Sequence, residues 1–583
     1  MTYAAAHQGD SLTDEAALSE LIDVAQAWLD DDPDDDTREE LDILIARARE
    51  GDRDGSAHLL SRFSGMLEFG TAGLRGELGA GPNRMNRSVV IRAAAGLTRF
   101  LTEEYLDETA GAASVAPLVV VGFDARHKSD LFARDTCAVV TGLGGRAMLL
   151  PRPLPTPVLA YAIRRFGAHA GVMVTASHNP PRDNGYKVYL GDGSQIVAPV
   201  DAQIARHIGR VASVAAVPRA EDGWEVLDDT VLEDYLARAT GILAPGGPRD
   251  LVVVHTALHG VGTETVQKAF SAAGFTELHP VPSQAQPDAD FPTVSFPNPE
   301  EPGAMDAAIE LAEQTGPDLV IANDPDADRC AVAVPTSGGW RMLRGDEVGA
   351  LIGAHLLTRG VDSDTAVFAN SIVSSRLLGA MAQAAGVRHE ETLTGFKWIS
   401  RVEGLRYGYE EALGYCVDPH GVRDKDGITA ALLIAEQAAV LKAAGRTLPD
   451  VLDDLAREHG VYLTDSFSVR VEDLSVIDQV MARLREDPAT DIAGITVERF
   501  DDLARGSSAL PPTDGVLYLL ADRTRVIVRP SGTEPKVKIY CEVIEPVRDD
   551  GSADALGTAR TRAAERMAAV RETMERLTST EPA

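Results

Sequence analysis

The chain has 583 residues, of which 44% are hydrophobic and 25% charged, and it carries a formal net charge of -34 at pH 7. At roughly 100 to 200 residues per domain this length predicts about three to five domains with ample core, and a composition close to globular averages excludes wholesale disorder. The charge argues against nucleic acid or an anionic membrane as partner, and any phosphate site must gather its arginines and lysines locally.

Residues 14–50 alternate leucine, alanine and acid at helical spacing, broken by an acidic run at 30–36 around Pro33. Two helices joined by a solvated acidic turn without chemistry are expected. The glycine-rich stretch Glu68-Phe69-Gly70-Thr71-Ala72-Gly73-Leu74-Arg75-Gly76 follows. Its glycines permit a curled backbone that approaches a ligand, and Arg75 has the fork geometry for a phosphate, although such loops are more often plain turns.

A unit then repeats three times: an apolar strand, a polar loop, a helix and a glycine stop. Leu118–Phe123 leads through Asp124-Ala125-Arg126-His127-Lys128, residues 251–254 through His255-Thr256-Ala257-Leu258-His259-Gly260, and residues 366–369 through Asn370-Ser371-Ile372-Val373-Ser374-Ser375. This is the pattern of βαβ units in parallel-rich sheets. Within the first unit the apolar strand Ala170–Val174 stops abruptly in Thr175-Ala176-Ser177-His178-Asn179-Pro180. Ser177 is therefore expected on a tight loop beyond a strand's carboxyl end, where open α/β sheets bind ligands. Residues 295–303 read as an ordered proline-rich loop and 304–314 as a helix. After about Gly460, strands at 462–471, 516–520 and 536–542 with helices at 475–486 and 553–577 predict a smaller α+β domain.

Asn323-Asp324-Pro325-Asp326-Ala327-Asp328-Arg329 follows the apolar strand Leu319–Ala322. Three carboxylates at alternate positions can converge on one hard cation, and magnesium is the natural candidate. An EF-hand does not fit, because its glycine position falls on Arg329 and its closing glutamate on Pro335. Near the end, Arg529-Pro530-Ser531-Gly532-Thr533-Glu534-Pro535-Lys536 offers a guanidinium, two hydroxyls and a glycine backbone for an anion; a plain β-turn is the alternative. Gly408-Tyr409-Glu410-Glu411-Ala412-Leu413-Gly414-Tyr415, followed by Lys425, suits sugar hydroxyls but on its own reads as surface charge. Cys137, Cys330, Cys416 and Cys541 lack Cys-x-x-Cys spacing and read as small buried hydrophobes. With no basic start leading into an apolar core and no stretch near ~18 uninterrupted apolar residues, a cytoplasmic location is expected.

Together these motifs resemble the α-D-phosphohexomutase family, which includes phosphoglucomutases and phosphomannomutases, over nearly the whole chain beyond about residue 50. The resemblance implies three tandem α/β domains with mixed, parallel-rich sheets plus a smaller C-terminal α+β domain around a central cleft. The expected division is a helical extension at 1–50, a phosphoserine-loop domain at 51–212, a metal-loop domain at 213–335, a sugar-loop domain at 336–459 and a phosphate-loop domain at 460–583. Ser177 looks like the phosphorylated serine, and Asp324, Asp326 and Asp328 would hold magnesium with it. Arg75, Lys187 and Arg329 match positions lining the phosphoserine, with Lys187 the candidate general acid or base and His178 following the serine as in many members. Glu410 and Lys425 would read the sugar, and Arg529, Ser531, Gly532 and Thr533 would grip its nontransferring phosphate.

The activity implied is interconversion of a sugar 1-phosphate and 6-phosphate, of glucose or mannose, through a phosphoserine and a sugar 1,6-bisphosphate that also serves as activator. Many hexose-specific members have serine where this chain has Ala412, and some have histidine where it has Tyr415. The Glu-Glu-Ala form, the Phe-Gly-Thr-Ala-Gly-Leu-Arg-Gly opening and the N-terminal extension look more like the branch containing phosphoglucomutase-2-like and phosphopentomutase-like enzymes. A phosphopentomutase acting on ribose 1-phosphate and 5-phosphate is the alternative, ahead of a phosphoserine-dependent phosphatase or a noncatalytic sugar-phosphate sensor.

Overall fold

The computed structural model describes residues 15–106, 115–471, 475–507, 510–531, 536–548 and 553–579. The chain forms two compact units, one of Met1–Trp340 with Asp418–Leu432 and one of Arg341–Val417 with Leu433–Ala583.

The first unit begins with three helices, Glu15–Asp31, Asp35–Arg49 and Arg53–Phe63, which share a core that includes Leu21, Leu41, Ile45, Leu59 and Phe63. The third helix was not legible, because Gly55 sits in its first turn; there a side chain would overlap Arg47 of the second helix. The acidic run is also more than a solvated turn. Asp31 accepts from the Ser213 hydroxyl and the amides of Val214 and Ala215, and Asp32 accepts from Thr37 and Ser88. Asp34 caps the second helix and, with Asp36, pairs with Lys128. Buried amides and hydroxyls need acceptors, so the carboxylates clip the helices onto the domain that follows.

That domain is built on a mixed sheet. Arg146–Leu149, Leu118–Phe123 and Ala170–Val174 run parallel, and Asp183–Leu190 and Leu74–Glu77 add antiparallel beyond them. Its central strands are buried along their full length, as expected where helices cover both faces, and Val119, Val121, Phe132, Val172 and Tyr186 lie in its core. A second sheet places Glu277–Pro280, Val252–Thr256 and Leu319–Ala322 in parallel, with Ala331–Thr336 antiparallel at the side. Leu319–Ala322 and Ala331–Thr336 are therefore adjacent, and the loop between them is short and held at both ends.

In the second unit, Arg388–Thr392, Val367–Ser371 and Leu405–Glu410 run parallel and Gly414–Cys416 folds back antiparallel. The last sheet, Val461–Arg470, Lys536–Glu545, Arg525–Pro530, Val516–Leu520, Ile495–Asp502 and Asp491–Ile492, is antiparallel throughout. Its alternating burial, clearest in Val516–Leu520, turns one face to a core that takes in Met481, Leu484, Ala563 and Val570 of the helices Ser475–Glu486 and Ala553–Leu577. All four cysteines are buried and free. Among the described residues no single helix is long and apolar enough to cross a membrane.

Candidate active site

Ser177 lies just past the strand Ala170–Val174, buried, with φ +52°. Left-handed backbone is costly for a residue with a Cβ and collects at functional sites. Its amide donates to Thr175 Oγ1 at 2.9 Å and its hydroxyl donates to Asp324 Oδ2 at 2.8 Å. His178 Nδ1 is 3.3 Å from the same hydroxyl oxygen. Burial, then the cations Arg329 and Arg75, hold the His178 imidazole well below its usual pKa and keep it neutral.

Asp324, Asp326 and Asp328 occupy the loop between Leu319–Ala322 and Ala331–Thr336, and all three are buried. Asn323 Nδ2 donates to the Arg329 carbonyl at 2.6 Å and the Arg329 amide to Asp324 Oδ1 at 3.1 Å, which closes the loop on itself. One oxygen from each carboxylate lies within 4.8 Å of the others. Lys187 Nζ sits 2.7 Å from Asp326 Oδ2 and 2.9 Å from Asp328 Oδ2, and Lys425 Nζ is 3.3 Å from Asp328 Oδ2. Thr156 Oγ1 donates to Asp326 Oδ2 at 2.7 Å. Arg329 Nε stands 3.8 Å from both Asp324 and Asp328.

The electrostatics follow from this crowding. Burial, then the charges of Asp326 and Asp328, push the Asp324 carboxyl well above its ordinary range. Asp328 is also buried, but Lys187, Lys425 and Arg329 outweigh that and hold it below. Burial works against the Lys187 ammonium, and Asp326 and Asp328 overcome it and raise its pKa. Among the described residues, Asp326 Oδ1 and Asp328 Oδ1 are buried yet accept no hydrogen bond. Buried acceptors are rarely left so. A hard divalent cation takes oxygen ligands of this kind, so the donor set fits magnesium.

Arg75 is in a strand, Leu74–Glu77, rather than a curled loop, and its register partner is Gly185. Its Nη1 donates to Asn179 Oδ1 at 3.1 Å, beside Ser177. The nearby glycines serve close backbone approach: a Cβ on Gly73 would overlap the Tyr186 carbonyl, and one on Gly185 would meet the Thr175 carbonyl at 2.5 Å. Lys187 comes from the neighbouring strand Asp183–Leu190. Lys425 is buried, not surface charge; Asp424 beside it accepts from Tyr189 and Gln195 at 2.9 Å each. The first unit thus brings together Ser177, His178, Lys187, Arg75, Arg329, Lys425 and the three aspartates.

Glu410, Arg529 and Ser531 belong to the second unit. Glu410 ends the strand Leu405–Glu410 opposite Gly414. The next carboxylate, Glu411, accepts from Ser371 at 3.1 Å and Ser374 at 2.9 Å, which pins the turn. Beneath it Asp346 Oδ1 accepts from the Ser375 amide at 2.7 Å and the Tyr409 hydroxyl at 2.9 Å. Arg529 is in the strand Arg525–Pro530 and donates to Thr394 Oγ1. The Ser531 amide donates to the Lys536 carbonyl at 2.8 Å. Gly532 and Thr533 lie outside the described residues. The residues that sequence reasoning left without a role are Arg126, Thr156, Asn323, Asp346, Ser371 and Ser374. Arg126 and Ser374 sit in polar loops after apolar strands and Ser371 at the polar end of one, which is the one signal that could have singled them out.

Four family models match in succession: Phosphoglucomutase/phosphomannomutase alpha/beta/alpha domains I at 66–214, II at 233–339 and III at 344–459, and the C-terminal domain at 468–554. The chain therefore belongs to the phosphoglucomutase/phosphomannomutase family, with its four-domain α/β architecture. It is a phosphosugar mutase. A Haemophilus influenzae protein named "Probable phosphomannomutase" is 47% identical over 464 residues, covering 79% of this chain and 93% of the relative. Human phosphopentomutase is 34% identical over 594 residues, 93% of this chain and 94% of the relative. A Staphylococcus epidermidis phosphoglucomutase is 34% identical over 502 residues, 81% of this chain and 90% of the relative. In fold, the chain is similar to the crystal structure of a Burkholderia thailandensis phosphoglucomutase/phosphomannomutase family protein, with a TM-score of 0.65 at 19% identity, covering 87% of this chain and 97% of that one.

Proposed function

We propose that this chain interconverts the 1-phosphate and 6-phosphate of a hexose, glucose or mannose, with Ser177 as the phosphoryl carrier. The observation that carries the reading is the Ser177 hydroxyl set on Asp324, beside two buried carboxylate oxygens without hydrogen bonds. A serine oxygen is a poor nucleophile, so the resting enzyme holds Ser177 phosphorylated and uses it as donor. The bond from phosphorus to Ser177 Oγ breaks as one forms to the free sugar hydroxyl; the Lys187 ammonium gives a proton to the departing Ser177 Oγ, and the resulting amine takes the proton of the sugar hydroxyl. The sugar bisphosphate turns over, and its other phosphate returns to Ser177. Asp324, Asp326, Asp328 and the phosphorylated Ser177 would hold magnesium, which neutralises charge on the passing phosphoryl group.

Arg75, Arg329 and neutral His178 line the transferring phosphate, and Lys425 and Glu410 read the sugar. Arg529, Ser531, Gly532 and Thr533 grip the phosphate that stays. The substrate is a small phosphosugar, sugar 1,6-bisphosphate is the activator, and the location is cytoplasmic. The test is initial-rate turnover with magnesium and a trace of bisphosphate, offering glucose, mannose and ribose 1-phosphates in parallel to the parent and to Ser177→Ala. The parent turns over a hexose fastest and Ser177→Ala isomerises none; substantial turnover by the variant would sink the covalent role. A pentose substrate is the second reading, favoured by Ala412 and by the similarity to human phosphopentomutase across 93% of the chain.

A further inference from the structure

Arg126 sits in the loop after the strand Leu118–Phe123 and is buried. Both terminal nitrogens of its guanidinium are spent on one segment of backbone. Nη1 donates to the Pro180 carbonyl at 2.7 Å and the Asp183 carbonyl at 3.0 Å. Nη2 donates to the Ser177 carbonyl at 2.7 Å and the Asn179 carbonyl at 2.6 Å. Asp124 stands 3.5 Å from Nε and takes the Arg126 amide and the Ser129 hydroxyl. The Phe291 ring lies against the guanidinium, 4.9 Å from its centre. With the Asp124 carboxylate beside its edge, Phe291 against its face and four carbonyls on its terminal nitrogens, the planar fork is turned to the loop 177–183.

The loop needs such a clamp. Ser177 holds φ +52°, a conformation that persists only where the surroundings over-determine it. Three of the four carbonyls belong to Ser177 and the residues just after it, in a loop of no regular structure whose acceptors the sheet does not satisfy. We propose that Arg126 is a positioning residue for phosphoryl transfer, holding the 177–183 loop so that Ser177 Oγ stays at the aspartate loop. A lysine cannot reproduce it, since one ammonium cannot reach four carbonyls spread along seven residues with the same geometry. The proposal rests on the phosphoserine reading. It adds that the serine's reactivity is set by a side chain that meets neither substrate nor the transferring phosphate.

The test uses the full-length protein with three variants: Arg126→Ala, Arg126→Lys and Ser177→Ala. Melting temperature, kcat, KM and phosphoserine content by intact mass after incubation with glucose 1,6-bisphosphate are read for each. Misplacing a reacting atom by about 1 Å costs on the order of 100-fold in rate, so kcat is expected to fall by about that much in Arg126→Ala with KM within about threefold. Added guanidinium, at concentrations that leave the parent unchanged, raises the kcat of Arg126→Ala by about tenfold or more. A residue that merely stabilised the fold would lose active protein without this rescue. If Arg126→Ala does not fold, Arg126→Lys decides: it keeps a cation beside Asp124, and a kcat within about threefold of the parent overturns the proposal. Folded Arg126→Ala with parental kcat, or with a loss that guanidinium does not reverse, overturns it as well. Turnover in Ser177→Ala would instead mean that the phosphoserine reading has failed, so the two failures are separable.

Discussion

The Ser177 hydroxyl donates a 2.8 Å hydrogen bond to Asp324 Oδ2, across 147 positions of sequence. Two loops from different sheets therefore meet at one oxygen, each at the carboxyl end of a strand. The serine's conformation is held from its own domain and its contact from the next, so the position of the Ser177 hydroxyl depends on how these domains pack within the first unit.

Asp324→Asn should have opposite effects with and without metal. Because the Asp324 carboxyl is raised in the folded state, folding loses stability as pH climbs from its ordinary 3.8 towards the raised native pKa, and above that pKa the full cost of the ionised carboxylate is present. The amide removes it, so metal-free Asp324→Asn should melt above the parent at pH 8. With magnesium the parent gains roughly 2.7 kcal/mol at a concentration about 100 times its Kd, and the variant loses most of that gain. Melting curves with magnesium and with a chelator check both arms; equal magnesium stabilisation of parent and variant would remove Asp324 from the metal site.

Two glycines pack closely against the aspartate loop. A Cβ on Gly260 would overlap the Pro325 backbone, and one on Gly427 would overlap the Arg329 carbonyl. Overpacking of this kind costs about 1–3 kcal/mol. Gly260→Ala and Gly427→Ala should each lower the melting temperature and weaken magnesium binding measured by calorimetry. Gly241→Ala, in open space at a helix end, should be neutral or stabilise by up to about 1 kcal/mol.

The Asp346 carboxyl is pushed up to about 7 by burial and by Glu411, against the pull of the Ser375 amide. A carboxyl raised in the folded state favours folding at low pH, and the advantage disappears as pH climbs from its ordinary 3.8 through about 7. The full displacement corresponds to roughly 4 kcal/mol. Asp346→Asn keeps an acceptor for Ser375 and Tyr409, so it should match the parent near pH 4 and be the more stable protein at pH 8. Thermal melts across that range read it out, and parallel pH profiles for the two proteins would show that Asp346 is not the titrating group.

Ala412 lies in the turn between Glu410 and Gly414 and is partly exposed. Restoring a hydroxyl with Ala412→Ser should raise the ratio of kcat/KM for glucose 1-phosphate over ribose 1-phosphate by about tenfold, the worth of one hydrogen bond to substrate. An unchanged ratio would mean that position 412 does not face the sugar.

Much of the fold was legible where local pattern and tertiary role agree. Ala170–Val174 and Leu319–Ala322 are continuous apolar strands with abrupt polar ends, and the amphipathic helices Ser475–Glu486 and Ala553–Leu577 keep helical spacing throughout. Leu74–Glu77 was not legible, because Arg75 and Gly76 have little strand preference and the segment is extended only through its pairing with Asp183–Leu190. The aspartate loop was visible from alternate carboxylates alone. Arg126 was not, since nothing local says that an arginine beside an aspartate will reach carbonyls more than 50 residues away. The burial of Lys425 was not legible for the same reason: its ammonium sits on Asp328, far away in sequence.

Each of the four segments matched by the family models carries one cysteine: Cys137, Cys330, Cys416 and Cys541 in chain order. All are buried, and burial pushes the Cys137 and Cys541 thiols up to about 12 and the Cys330 thiol upward too. Such thiols meet an alkylating reagent only when their own domain breathes. The chain thus comes with a built-in clock in every domain, and the order in which the four sulfurs are tagged over time would record the order in which its domains come apart.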